Sequence, residues 1–179
     1  MERLIQISDK KQIPEEYRGT PIASLLEYHN LGEPYTDYST AQMLIGACMD
    51  FRVRFQIPLN YAFMIRTGGA NMKNMEFKIS YAISVGGIKY IAIIGHSDCA
   101  MTKITINKNV FIRGLVKQSK WSEKKAIKHF SDKSHVFEIK DEIDFTLKEV
   151  NRLKKLYGGI TIVPMIYEIE DSKLYLIKQ

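Results

Sequence analysis

Two short segments of the 179-residue chain hold the side chains best suited to chemistry: Cys48-Met49-Asp50-Phe51-Arg52 and His96-Ser97-Asp98-Cys99. They contain both cysteines of the sequence. Two thiolates and an imidazole form a soft, compact donor set that suits Zn²⁺. Such a set fills three tetrahedral positions and leaves the fourth without a strong protein ligand, where a metal can make hydroxide available near neutral pH. His96 and Cys99, at the start of a turn, can direct two ligands to one point, and Cys48 must then arrive from another element. The competing reading is a pair of buried thiols and a histidine that caps a helix. Two thiolates acidify a bound water less than three neutral imidazoles do, so a helper group is expected close by.

The positioning elements follow from what precedes each segment. Residues 42–47 lead into Cys48 and residues 90–95 into His96. Short apolar, β-branched runs bounded by glycine read as buried strands of a parallel sheet, and chemistry in such sheets collects just past the carboxyl ends of the strands. Another strand is expected at 61–66. Gly68-Gly69 then turns the chain into a helix beginning at about residue 71 or 74 and ending at 85, with Met75, Ile79, Ala82 and Ile83 on one face. This unit and the strand leading to His96 make a βαβ crossover, for which right-handed connection is the rule. Upstream, Thr20 and Pro21 are the N-cap and first residue of a helix that Gly32 stops. Residues 1–19, charged and carrying Pro14, read as an arm rather than a core element, and 33–39 as a surface crossover. After Cys99 come a short helix at 100–104 and two weaker ones at 111–119 and 122–130. Asp141 caps a clearer helix through residue 157, with Ile143, Leu147, Val150 and Leu153 buried and Lys148, Arg152, Lys154 and Lys155 toward water. Strands at 160–163 and 174–177 close the chain, the last one antiparallel. The expected fold is α/β and three-layered: a mainly parallel central sheet flanked by helices, with a C-terminal antiparallel edge strand. It is read as one domain over 1–179, in which 1–40 form the N-terminal arm and helix.

The net charge of +6 comes from 26 basic and 20 acidic residues, mixed along the chain as in Ser122-Glu123-Lys124-Lys125, and no basic stripe is interleaved with aromatics. Nucleic-acid binding is therefore not expected, and the charge supports a mild attraction for small anions. No stretch approaches the ~18 apolar residues of a membrane span, and the first residues lack a secretory apolar core, so no membrane association and a cytoplasmic location are expected. In a reducing compartment the two cysteines are better explained by metal than by a disulfide. His29, His129 and His135 read as surface residues, with proton relay as the alternative.

The order Cys-x-Asp-x-Arg followed by His-x-x-Cys resembles the zinc signature of the β-class carbonic anhydrases. Tyr61-Ala62-Phe63-Met64-Ile65-Arg66-Thr67-Gly68-Gly69 is similar to that family's intervening strand and turn. Met165-Ile166-Tyr167-Glu168-Ile169-Glu170 with Lys173-Leu174 is similar to its closing hairpin. The likeness covers about residues 40–105 and, loosely, the tail, and suggests a small member of bacterial or archaeal type. It implies Zn²⁺ held by Cys48, His96 and Cys99, and reversible hydration of CO₂ to bicarbonate by zinc-bound hydroxide. It gives Asp50 and Arg52 the catalytic helper role: the carboxylate accepts the hydroxide's proton in a hydrogen bond and the guanidinium holds the carboxylate, although the same carboxylate can instead swing onto zinc. Gly68 and Gly69 are implied at the substrate site. Thr67-Gly68 stands where the family has Asn-Ala, and Ala100 where it has Gly, so the pocket departs from the pattern. Arg66 is carried over with the motif or forms a structural ion pair. The resemblance also implies a homodimer or higher homo-oligomer. Two other readings remain: a related zinc hydrolase of carbonyl sulfide or carbon disulfide, and a non-catalytic zinc- or bicarbonate-binding homologue.

Overall fold

The computed structural model describes residues 3–178; Met1, Glu2 and Gln179 lie outside the described residues. The strands are β1 (Leu4–Gln6), β2 (Met43–Cys48), β3 (Ala62–Thr67), β4 (Tyr90–His96), β5 (Thr161–Glu168) and β6 (Lys173–Ile177). They form one six-stranded sheet in the order β1-β6-β5-β4-β2-β3. The pairings among β2, β3, β4 and β5 are parallel, whereas β6 runs antiparallel to β5 and β1 antiparallel to β6. Every residue of β2 is buried, and in β4 all but Tyr90 are, as continuous apolar runs in a doubly covered parallel sheet require.

Alternation along the strands divides the core between two faces. Met43, Ile45, Ala92, Ile94, Val163 and Met165 meet Ile22, Leu25 and Leu26 of α1 (Pro21–Leu26). Leu44, Ile91, Ile93 and Ile162 meet Ile79 and Ala82 of α2 (Glu76–Ser84) and Val150 and Leu153 of α5 (Glu142–Leu156). The three layers are those expected. At Gly95 there is no room for a Cβ, because the Thr146 hydroxyl already sits there, and α5 packs closely on β4. Two further helices, α3 (Lys108–Ser119) and α4 (Glu123–Phe137), begin earlier or run later than their sequence signals.

Capping follows the sequence: Thr20 Oγ1 accepts the Ile22 N–H, Asp141 accepts the Asp144 N–H, and Gly32 takes the left-handed conformation that stops the first helical segment. Other expectations need correction. The arm is not peripheral. Ile7 and Ile13 are buried and β1 covers the outer side of β6, so residues 3–19 complete the sheet and one core face. Asn30 fastens this region, donating to the carbonyls of Ile7 and Leu174 and accepting the Leu174 N–H. On α5 the buried face is rotated. Thr146 and Glu149 are buried with Val150 and Leu153, Ile143 and Leu147 only partly, and Arg152 turns inward to Glu149 and Glu76. Glu149 also accepts the Met72 N–H, which ties α5 to the turn before α2. Among the described residues, no helix is long and apolar enough to cross a membrane.

His29 is not a surface residue: it is 2% exposed. Its Nε2–H donates to the Ser172 carbonyl at 3.0 Å, and its Nδ1 accepts the Gln56 N–H at 3.0 Å, so neutral imidazole satisfies both partners. Burial pushes its pKa down from 6.5 to about 4. The unfolded chain therefore takes up a proton below about 6.5 that the folded chain refuses until about 4. This contribution is present above pH 6.5 and is lost progressively on acidification, by roughly 3 kcal/mol in all. Urea unfolding should give stability that falls between pH 7 and 4.5, with a smaller fall in His29→Gln; equal falls in the two proteins would refute this assignment.

Candidate metal centre

The parallel pairing of β2 with β4 builds the centre. Ala47 lies opposite Ile94 in the register, so Cys48 and His96 leave the same edge of adjacent strands. From β2 the chain turns to β3 on one side, and from β4 to β5 on the other. The Cys48–His96 crevice is thus the switch point of the sheet, where open α/β sheets bind ligands. Cys99 follows in a turn made possible by Asp98, whose φ is +53°. The strand-end prediction holds for both segments.

The three side chains converge. All are buried, and their ligand atoms lie within 4.8 Å of one another. The two sulfurs are 4.0 Å apart, far beyond an S–S bond of ~2.05 Å, and both cysteines are free. Two sulfurs each ~2.3 Å from one tetrahedral Zn²⁺ would be ~3.8 Å apart, so the spacing fits that ion. The histidine fits too. A carbonyl can only accept, so the 2.9 Å contact with the Ser97 carbonyl puts the proton on His96 Nδ1. Nε2, buried and without a hydrogen-bond partner, then offers a lone pair beside the two sulfurs. The Cys48 thiol is held below its ordinary pKa by the Cys99 thiol first, then by His96 and by backbone N–H groups. The contact with Cys48 first, and burial second, raise Cys99, so one thiol ionises well before the other unless a cation joins them.

Backbone groups support this cluster. The Gly69 N–H points at Cys48 Sγ from 3.3 Å, in a turn where Gly69 has φ +63°. The Cys99 N–H donates to Glu142 at 3.1 Å. Arg66, for which a structural ion pair was one of two alternatives, donates to the carbonyls of Cys48 and Val53 and lies 5.3 Å from the Phe55 ring centroid, which folds the 48–55 loop back on the sheet.

Asp50 and Arg52 sit at the mouth. Arg52 grips both carboxylate oxygens, Nε to Oδ1 at 3.0 Å and Nη2 to Oδ2 at 2.8 Å, and its backbone N–H adds a third donor to Oδ1. That guanidinium holds the Asp50 carboxyl down at about pKa 2, so it is an acceptor at neutral pH. Asp50 Oδ2 lies 3.9 Å from His96 Nε2.

The sequence reading missed Asp98. Its Oδ2 and its backbone carbonyl both accept from Arg52 at 3.0 Å, and its Oδ1 accepts from Lys103 at 2.7 Å. The only available signal was its place between His96 and Cys99. Glu142 gave none beyond lying in the first turn of a helix. Of the remaining candidates, Gly68 faces Met101 and Phe137. His29 lies in the core, and His129 and His135 are exposed away from the cluster.

The family model for carbonic anhydrase matches residues 43–174. No curated protein matches the chain by sequence. Among solved structures, the β-carbonic anhydrase isoform I of Trichomonas vaginalis superposes with a TM-score of 0.66 at 22% identity, over 83% of this chain and 90% of that one. A carbonic anhydrase from Glaciozyma antarctica gives 0.60 at 21% identity, over 90% and 98%. The apo form of a carbon disulfide hydrolase gives 0.59 at 22%, over 93% and 92%. At these identities the structures establish the shared fold.

Proposed function

The chain belongs to the β-class carbonic anhydrase family, and from that premise we propose that it catalyses the reversible hydration of CO₂ to bicarbonate at a zinc centre held by Cys48, His96 and Cys99. The observation that carries this reading is the pairing of a convergent, partnerless His96 Nε2 and two sulfurs with a fully gripped Asp50 carboxylate 3.9 Å away. When bound, Zn²⁺ supplies an acidified water, with a pKa approaching ~7 in the best cases. Asp50, ionised and 3.9 Å from His96 Nε2, would serve as the hydrogen-bond acceptor that orients the nucleophile such a centre would supply. Arg52 keeps Asp50 ionised and holds both of its oxygens, which would restrain the carboxylate from serving as a metal ligand itself. Asp98 anchors the far side of Arg52 and so couples the Cys48 loop to the His96–Cys99 turn. The backbone at Gly69, beside Cys48 Sγ, and at its neighbour Gly68 would border the substrate's approach.

An ion confined to structural duty has no need of a carboxylate held in this way, which argues against a non-catalytic homologue. Carbon disulfide and carbonyl sulfide could be hydrolysed by the same arrangement, so both belong in the assay as competing substrates.

The apolar surface beside the site suggests self-association. Edge strand β3 exposes Phe63 and Met64, α2 exposes Phe77 and Tyr81, and Phe51 next to Arg52 is 80% exposed. The N-terminal arm, by contrast, is used within its own chain. Light scattering at micromolar concentration should give at least twice the single-chain 20.7 kDa; a mass near one chain would refute the homo-oligomer.

Asp50→Asn should keep zinc and lose well over the ~10–100-fold typical of groups that only support a metal ligand, since an amide can donate where an acceptor is required. Arg52→Ala should also be impaired, because a released Asp50 can take the metal's fourth position. The double variant should be no worse than the poorer single one, as both lesions disable one unit. In the wild type, Asp50 is ionised throughout the assay range, so the rise of activity with pH should report the water alone, without an Asp50 inflection. Stopped-flow hydration with near-wild-type rates in zinc-loaded Asp50→Asn would leave the dyad structural and sink the mechanism.

A further inference from the structure

Beyond the metal centre, α3 and α4 pack against each other and, with the 3₁₀ turn Ala100–Lys103, enclose a cavity of about 620 Å³. None of Cys48, Asp50, Arg52, His96 or Cys99 is in its wall. Met101, Phe111, Phe130 and Phe137 make much of the wall apolar, while His129 and Lys133 bring polar groups to it. Phe111 and Phe137 remain 40% and 39% exposed, a large apolar surface left in water around a concavity. The volume is in the range of small-molecule sites, ~300–1,000 Å³.

Charge decides what kind of molecule suits it. The positive excess of the chain is not evenly spread. Residues 101–140 hold ten basic and three acidic side chains, leaving 16 against 17 in the rest of the sequence. Two of those three acids are engaged: Asp132 with Lys128 at 2.7 Å, and Glu138 with the Thr105 N–H at 3.0 Å. Lys133 has no ion-pair partner among the described residues, and the Lys108 ammonium lies 5.9 Å from the Phe130 ring centroid. Asp132 is bonded to Lys128 and also feels Lys133 and His129, but the bordering cations still outnumber it, so the apolar chamber disfavours fatty amines and gives bare inorganic anions nothing to bury. It complements a molecule with one anionic head and an apolar body.

We infer that the α3–α4 cavity binds a monocarboxylate with an apolar tail, the carboxylate at Lys133 and His129 and the tail among Phe111, Phe130, Phe137 and Met101. The site shares none of the three proposed metal ligands, although Met101 and Phe137 in its wall also touch Gly68. It also carries its own reporter: Trp121, the one tryptophan, packs edge-on against His129 with ring centroids 5.3 Å apart. A head group seated at His129 changes the surroundings of that indole.

Titrating the full-length protein with sodium decanoate, well below its micelle concentration, should give a saturable change in Trp121 fluorescence with half-saturation at micromolar concentration. Lys133→Glu, at an exposed position that leaves the fold intact by circular dichroism, should weaken binding at least tenfold. Ser134→Phe, which fills the cavity, should abolish it. Decyltrimethylammonium should bind at least tenfold more weakly than decanoate. Absence of saturation in the wild type, undiminished affinity in Lys133→Glu, or equal affinity for the cationic decyl compound would each overturn the inference.

Discussion

Parallel pairing of β2 with β4 is the constraint on which the rest depends. Strands distant in sequence deliver one residue each to the same sheet edge, and their adjacency sets Cys48 beside His96. That pairing survives because both strands are apolar throughout and covered on both faces, so a slip by one residue would turn each strand's core residues to the wrong layer. The rigidity of the two central strands is then inherited by the ligand atoms.

Electrostatics sets the second level of organisation. Two thiolates buried together without a cation would be strongly disfavoured, and the site bears the marks of managing that charge. The Gly69 N–H faces Cys48 Sγ, the His96 lone pair is directed inward by the Ser97 carbonyl, and a divalent cation at the proposed centre would complete the balance. Arg52 performs a parallel task at the rim. By bonding to Asp50 and to Asp98, 46 residues further along the chain, it joins two loops and keeps the Asp50 carboxylate ionised at the mouth of the cluster. Both elements act in one direction: they pre-set charge and orientation before any substrate arrives.

How much of this could be read from the sequence follows from how local each cause is. The ligand strands were legible because an apolar run ending in Cys48 or His96 announces itself over six or seven residues. The Asp141 cap and the Thr20-Pro21 start were legible because they act within three residues. Asp98 and His29 were not, since their partners lie far along the chain: Arg52 for the first, Ser172 and Gln56 for the second. The arm failed for a related reason. A three-residue strand and two isolated isoleucines carry no periodicity, and only the finished sheet shows that Ile7 and Ile13 have somewhere to go. Helix α5 was found but its face was misjudged, because buried Glu149 earns its place through Arg152 and Met72, not through hydrophobicity.

The central claim, that a metal held by Cys48, His96 and Cys99 turns water into a nucleophile for CO₂, is tested most directly by oxygen-18 exchange at chemical equilibrium. The zinc-loaded protein, incubated with ¹⁸O-labelled bicarbonate, should deplete the label from CO₂ far faster than buffer alone. Removing the zinc with a chelator should abolish the acceleration, and restoring one zinc per chain should recover it. Exchange at the buffer rate with the protein fully loaded, or an acceleration that persists without metal, would contradict the account.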